Sequence, residues 1–114
     1  MVSYVSGVSA IPSTVFKALA DPTRRSIFER LCRDGEQTVW MLTRHARISQ
    51  PAVSKHLAAL RSAGLVRARC EGRETHYRAE PHGLSPLIDW IGLYAAFWGE
   101  RLDRLEALLQ GMDK

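Results

Sequence analysis

Residues 38–79 read TVWMLTRHARISQPAVSKHLAALRSAGLVRARCEGRETHYRA, and the fold is decided within them. Thr38 is placed to cap a helix running through Ala46, with Val39, Leu42 and Met41 turned inward. Arg47-Ile48-Ser49 then makes a short turn, and Ser49 caps a second helix that runs to about Ser62. On that helix Val53, Leu57 and Leu60 lie within about 60° of one another at 100° per residue, so they form one buried stripe. Ala63-Gly64 closes it. From Leu65 the period changes to two: Val66, Ala68 and Cys70 point one way, Arg67 and Arg69 the other. Glu71-Gly72-Arg73-Glu74 turns the chain and Thr75-His76-Tyr77-Arg78-Ala79 returns it, giving a two-stranded hairpin.

Outward from this stretch the chain is helical on both sides. Upstream, Val15, Phe16 and Leu19 fall at helical spacing from Pro12, and that helix stops at Ala20-Asp21-Pro22. Asp21 can cap a further helix whose first position is Pro22, where no backbone N–H is needed. This helix reaches about Arg33, buries Ile27, Phe28 and Leu31, and ends at Asp34-Gly35. Downstream, Pro81 to Pro86 reads as a loop, and a long helix runs from about Leu87 to Gln110. The predicted class is mainly α with a small β-hairpin (α+β), in the order ααααββα. A short-turned helix pair followed at once by a basic hairpin is the layout of a winged helix-turn-helix. Residues 1–11 lack any period and are expected to form a flexible N-terminal arm, with the domain occupying 12–110.

The charge is distributed in a way that suggests a partner. Between residues 40 and 79 there are eight basic side chains and only two acidic ones, whereas from 84 to 114 there are three basic and five acidic. A basic middle and a slightly acidic tail predict a polyanion-binding surface separated from the rest of the molecule. The face of the 50–62 helix opposite its apolar stripe carries Pro51, Lys55, Ala58 and Ser62, with Ser54 and Arg61 on one flank and Gln50 at the N-terminal tip. Small, neutral-to-basic side chains of this kind allow a helix to lie deep in the major groove. Gln50 can make paired hydrogen bonds to adenine, Ser54 can bond base edges, and Lys55 can reach a guanine edge or a phosphate. Arg44 and Arg47 would clamp the DNA backbone, which positions the protein without reading sequence. On the hairpin Arg67, Arg69, Arg73 and Arg78 are the candidates for phosphate or minor-groove contact. Arg73, beside Gly72 at the tip, is the best placed to enter a narrow groove. A solvated basic face would look similar residue by residue. The alternative for the hairpin is that Arg69 and Glu71 pair with residues on the return strand, which is expected to hold for some of these side chains but not for all four arginines.

The last helix carries Leu87, Ile88, Ile91, Ala95, Trp98, Leu102, Leu105 and Leu109 on one stripe. Trp90, Leu93, Tyr94, Phe97 and Leu108 broaden it past a single face. A helix apolar on two sides needs two partners. One is expected to be the chain's own core and the other the same helix of a second subunit. A ligand or inducer pocket lined by Trp90, Tyr94, Phe97 and Trp98 is the second reading of the same aromatics.

No catalytic set emerges: there is no glycine-rich phosphate loop, no nucleophile beside a histidine in a motif, and no paired acidic cluster. Cys32 shares a helical face with Phe28 and Cys70 a strand face with Ala68, so both are expected to be buried small hydrophobes, with a redox switch the lesser alternative. His56 is placed as a half-buried packing residue, and His45, His76 and His82 at the surface. Neither a secretory signal nor a transmembrane run is evident, so the expected location is the cytoplasm, with no membrane partner.

Ala20-Asp21-Pro22-Thr23-Arg24-Arg25, Ser49-Gln50-Pro51-Ala52-Val53-Ser54-Lys55-His56-Leu57, Ala63-Gly64-Leu65-Val66 and Glu71-Gly72-Arg73 with Tyr77 together resemble the arsenic-repressor (ArsR-type) family of bacterial transcription regulators. The likeness covers roughly residues 12–110 in four ordered blocks. It implies a dimeric repressor that binds an imperfect palindrome near its own promoter. It further implies that the first and last helices form the dimer interface, through Val15, Phe16, Leu19, Trp90, Leu93, Tyr94, Phe97 and Trp98. Metal-sensing members carry Cys-Val-Cys where this chain has Thr38-Val39-Trp40, and threonine and tryptophan do not ligate soft metals. A second family site uses Asp and His on the last helix; here Asp89 precedes Trp90 and Ile91, and no histidine follows His82. The chain therefore resembles the metal-independent members, with no cofactor expected. The partners expected are double-stranded operator DNA and a second copy of the chain, and any inducer is unknown. A winged-helix protein-interaction module without DNA binding and a redox- or small-ligand-responsive repressor are the alternatives.

Overall fold

The computed structural model describes residues 13–112; the expected arm at 1–11 and the domain's first residue lie outside them. Residues 13–20 are helical (α1) and lead into α2, Pro22–Asp34. The junction follows from its sequence. The Asp21 carboxylate accepts the Arg24 backbone N–H at 3.0 Å and Pro22 occupies the first turn. Arg25 donates to the Leu19 carbonyl at 2.9 Å and Arg24 to the Ala18 carbonyl at 3.5 Å, so two arginines of α2 satisfy carbonyls freed at the end of α1. The same Arg24 donates through Nε to His56 Nδ1 at 3.4 Å, tying α2 to the helix that carries His56.

A short strand, β1 (Gln37–Thr38), precedes α3 (Val39–Ala46); the turn Arg47-Ile48-Ser49 leads into α4 (Gln50–Ser62). Strands β2 (Val66–Glu71) and β3 (Glu74–Ala79) form the hairpin, followed by a 3-10 turn at Pro81–Leu84 and α5 (Ser85–Met112). The hairpin thus becomes a three-stranded antiparallel sheet in the order β1-β3-β2, with Gln37 opposite Tyr77, Thr38 opposite His76 and Val66 opposite Ala79. Glu71 and Glu74 pair within the ladder, leaving Gly72-Arg73 as a two-residue turn with Gly72 at φ 64°. That left-handed conformation is the reason for glycine there. Pro86, expected in a loop, instead sits in the first turn of α5, where its missing N–H costs nothing.

One core holds these elements: Val15 and Ala18 of α1, Ile27, Phe28 and Leu31 of α2, Leu42 of α3, Val53, Leu57 and Leu60 of α4, and Leu65 and Val66. Val53, Leu57 and Leu60 are wholly inaccessible, which fixes the rotation of α4 and so decides what its other face shows. The 3-10 turn locks onto the end of α4 at Gly83, where a Cβ would collide with the Gly64 carbonyl. Met41, expected inward, is exposed, because Leu42 alone of that pair faces α2 and α4. Cys32 and Cys70 are also exposed. Cys32 lies at the edge of the α2 stripe, and β2 leaves the core after Val66, so Cys70 shares a face with Val66 but not its burial. Partial burial raises the Cys32 thiol pKa, which disfavours the reactive thiolate.

α5 departs most from expectation. At about 1.5 Å per residue its 28 residues span about 42 Å, yet none is buried. Among the described residues only its start meets the rest of the chain: Leu87 packs against the core, and the Trp90 ring meets the exposed Phe16 edge-on at 5.3 Å. The expected pairing of one whole stripe with the chain's own core does not occur. Ile91, Leu93, Tyr94, Phe97, Trp98, Leu102, Leu105, Leu108 and Leu109 are all exposed. Among the described residues no helix is long and apolar enough to cross a membrane.

Candidate nucleic-acid interface

α3, the turn and α4 form the helix pair. Thr38 Oγ1 accepts the Met41 N–H at 3.2 Å and Ser49 Oγ the Ala52 N–H at 3.3 Å, so both helices begin on side-chain caps. Between them Arg47 adopts φ 59°, a left-handed conformation that a non-glycine residue holds only where the surroundings enforce it. Here the enforcement is Ile48, packed against the core, and Val53 N–H bonded to the Ser49 carbonyl. Arg47 is thereby presented at the surface in the bend.

With its apolar stripe sunk in the core, α4 exposes Gln50, Pro51, Ser54, Lys55, Ala58, Arg61 and Ser62. These are the residues expected to face DNA, and they share one outward surface. None of them carries a large apolar group or an acid. Arg44 is also exposed, its guanidinium 4.8 Å from the centre of the Trp40 ring.

The hairpin arginines differ in their partners, and two of those partners, Glu36 and Glu80, lie outside the hairpin strands. Arg69 is enclosed by carboxylates. Its Nε and Nη2 donate to Glu36 and its Nη1 to Glu71, all at 2.8 Å. The two acids hold the Arg69 pKa above its ordinary value, and the Arg69 hydrogen bonds hold Glu36 below the usual carboxylate range. Arg67 Nε lies 2.7 Å from Glu80, which relieves the like-charge pairing of Arg67 directly opposite Arg78. Arg73, at the tip, projects to solvent. Arg67 and Arg69, expected among the phosphate-binding arginines, thus each have carboxylate partners within the chain while remaining more than half exposed. His76, expected at the open surface, is instead half-buried, with Glu74, Glu71 and Glu36 oxygens 3.6, 3.8 and 4.0 Å away. His56 keeps its expected half-buried place, but its ring faces Arg24.

Of the residues expected at a subunit interface, Val15 and Leu19 belong to the chain's own core, Val15 fully buried. Phe16, Leu93, Tyr94, Phe97 and Trp98 remain exposed, and Trp90 bridges Phe16 and Tyr94, its ring 5.2 Å from the latter. Thr38 serves as a helix cap and Trp40 as a ring beside arginine. Among the described residues no cluster of three or more His, Cys, Asp or Glu has metal-binding geometry.

A capped helix pair with a buried-and-exposed second helix, followed by a twisted wing, defines a winged helix-turn-helix protein. Residues 21–68 match the model for the family described as bacterial regulatory protein, arsR family. The chain is 34% identical to an ArsR-like transcriptional regulator from Rhodococcus sp. RHA1, with a TM-score of 0.72 over 90% of this chain and 95% of that one. The chain belongs to the arsR family. It is similar as well to the arsenical resistance operon repressor of Escherichia coli (strain K12), 44% identical over 72 residues, which are 63% of this chain and 62% of that protein. A solution structure from Mycobacterium bovis, described as a homodimeric winged helix-turn-helix DNA-binding domain, shares 30% identity and a TM-score of 0.64 over 80% of this chain and 83% of that one. The matches span 55% and 62% of the length of two curated arsenic-resistance regulators. These relatives are regulators of transcription and not enzymes.

Proposed function

We propose that this chain is a homodimeric, sequence-specific DNA-binding repressor that acts at promoter palindromes and does not sense metals. The observation that carries the reading is the outward face of α4. Gln50, Ser54 and Lys55 stand on a helix whose rotation is fixed by three fully inaccessible core residues, and no large apolar side chain obstructs that face. Such a face suits base-edge contact in the major groove, while Arg44, Arg47, Arg61 and Arg73 supply backbone contacts. A surface built to bind protein would instead offer apolar side chains there. Dimerisation is supported by α5, whose exposed leucines and aromatics form an apolar strip too extensive for a solvated helix. Metal indifference is supported by Thr38 and Trp40, neither of which offers a thiolate or imidazole.

A second reading has one specific observation behind it: Trp90, Ile91, Tyr94, Ala95 and Trp98 line an open apolar hollow of about 520 Å³. Contact with the second subunit would cover the same side chains, and the interface reading accounts for more of the helix than an inducer pocket does. The experiment that tests the proposed function is selection of bound duplexes from a random pool. Enrichment of a two-fold related sequence supports it; a pool that stays random at low salt contradicts it.

A further inference from the structure

We infer that Trp40 is a positioning residue of the DNA-binding face, holding Arg44 for phosphate contact without neutralising it; the inference rests on the DNA-binding reading above. Trp40 is 61% exposed, so its ring is open to a neighbouring side chain and to a ligand. It stands one turn before Arg44 on α3, and the guanidinium lies 4.8 Å from the ring centre. This is within cation–π range, and i,i+4 spacing keeps both groups on one helix face.

The contrast with the wing gives the arrangement its meaning. Arg67 and Arg69 lie against carboxylates, which restrain the guanidinium but set an opposite charge beside it and engage some of its donors. Among the described residues no carboxylate pairs with Arg44. An aromatic face restrains the side chain while leaving the charge and the edge N–H donors available to phosphate oxygens. The restraint lowers the rotamer entropy that a long side chain loses on binding.

Location adds an independent argument. Trp40 lines a cleft of about 220 Å³ together with Gln50 at the tip of α4 and Arg73, Glu74 and Thr75 at the wing. The indole thus stands where the helix expected to read bases meets the wing tip expected to enter the minor groove. Glu74 is the one acid in that cleft, and its carboxylate lies 3.6 Å from His76 Nε2.

The test compares wild type, Trp40→Ala, Trp40→Leu, Trp40→Phe, Arg44→Ala and the Trp40→Ala/Arg44→Ala double variant. The probes are the duplex selected by wild type and a scrambled duplex, each titrated across a salt series. Loss of an exposed stack should weaken binding about two- to fivefold per protomer, equally on both duplexes. The salt slope should fall toward that of Arg44→Ala. Leucine keeps the apolar bulk without the ring and should behave as alanine does, while phenylalanine should retain most of the affinity. The double variant should bind as Arg44→Ala does, because the two act through one contact. Thermal midpoints should stay near wild type, which separates positioning from folding. Wild-type affinity in the Trp40→Ala and Trp40→Leu proteins, or losses that multiply in the double variant, would overturn the inference while leaving DNA binding intact. Failure of wild type itself to bind either duplex at low salt would overturn the DNA-binding reading and this inference with it.

Discussion

Replacing Arg73 and Arg69 by alanine, one at a time, should have unequal effects on DNA binding, although both are arginines of the wing. Arg73 follows Gly72 in a two-residue turn and is exposed at the tip. If each Arg73 meets one phosphate, a dimer loses two such contacts. Each phosphate contributes about 0.9 to the slope of log K against log salt, so the slope should fall by about 1.8. Between 50 and 200 mM salt, wild type should then lose about twelvefold more affinity than the variant. Arg69 makes three donor contacts of 2.8 Å to Glu36 and Glu71, and its charge is matched before DNA arrives. Its replacement should change the slope by less than half as much and loosen β1 from the wing instead. Because Arg69 is half exposed and solvent screens the pair, the stability cost should be small. Glu36→Gln should act in the opposite sense, freeing Arg69 and steepening the salt dependence. Fluorescence anisotropy with a labelled duplex across the salt series measures all three. An Arg69→Ala slope as flat as that of Arg73→Ala would refute the division of the wing into engaged and available arginines.

Other consequences follow from the same geometry. Leu93→Glu and Phe97→Glu should shift the protein from dimer to monomer in sedimentation at micromolar concentration, since an unpaired charge buried at an interface costs about 3–5 kcal/mol. A wild-type monomer under those conditions would contradict the interface reading. Asp21 and Glu36 both have pKa values lowered in the fold, Asp21 by the Arg24 backbone N–H and Glu36 by Arg69. Their stabilisation is fully present above the ordinary carboxylate range and is lost as pH falls through the lowered values. Melting midpoints followed from pH 6 to pH 3 should therefore fall less steeply in Asp21→Asn and Glu36→Gln than in wild type. Zinc, cadmium and arsenite should leave affinity for the selected duplex unchanged, whereas release of DNA from folded protein by any of them would reveal a site outside Thr38 and Trp40.

The parts of the fold legible in the sequence were those with a local physical cause. Asp21 before Pro22, Thr38 before Val39 and Ser49 before Gln50 each announce a helix start, because a capping oxygen and its N–H lie within three residues. The α4 stripe was legible for the same reason, since Val53, Leu57 and Leu60 repeat at the helical period. β1 was not: two residues, Gln37 and Thr38, both buried, show no alternation and exist as a strand only because β3 pairs with them. The Arg69–Glu36 pair spans 33 positions and has no local signature. Glu36 just ahead of a β-compatible Gln37-Thr38, opposite an arginine-rich hairpin, was the only hint available. The exposed state of α5 was hidden as well, because hydrophobic periodicity reports that a face needs a partner and not which chain supplies it. The apolar pattern of Trp90, Leu93, Tyr94 and Phe97 is a property of the sequence, whereas its coverage is a property of the assembly.

The central claim is that α4 reads bases while its flanks hold the backbone. Its most direct test is the binding of Gln50→Ala and Ser54→Ala to the selected duplex and to its scrambled counterpart under identical salt. Both side chains are exposed and outside the core, so folding should be unaffected apart from the first-turn position of Gln50. The account predicts a loss of about 1–3 kcal/mol for a base contact on the selected duplex and little change on the scrambled one. Equal losses on the two duplexes, or none on either, would contradict it.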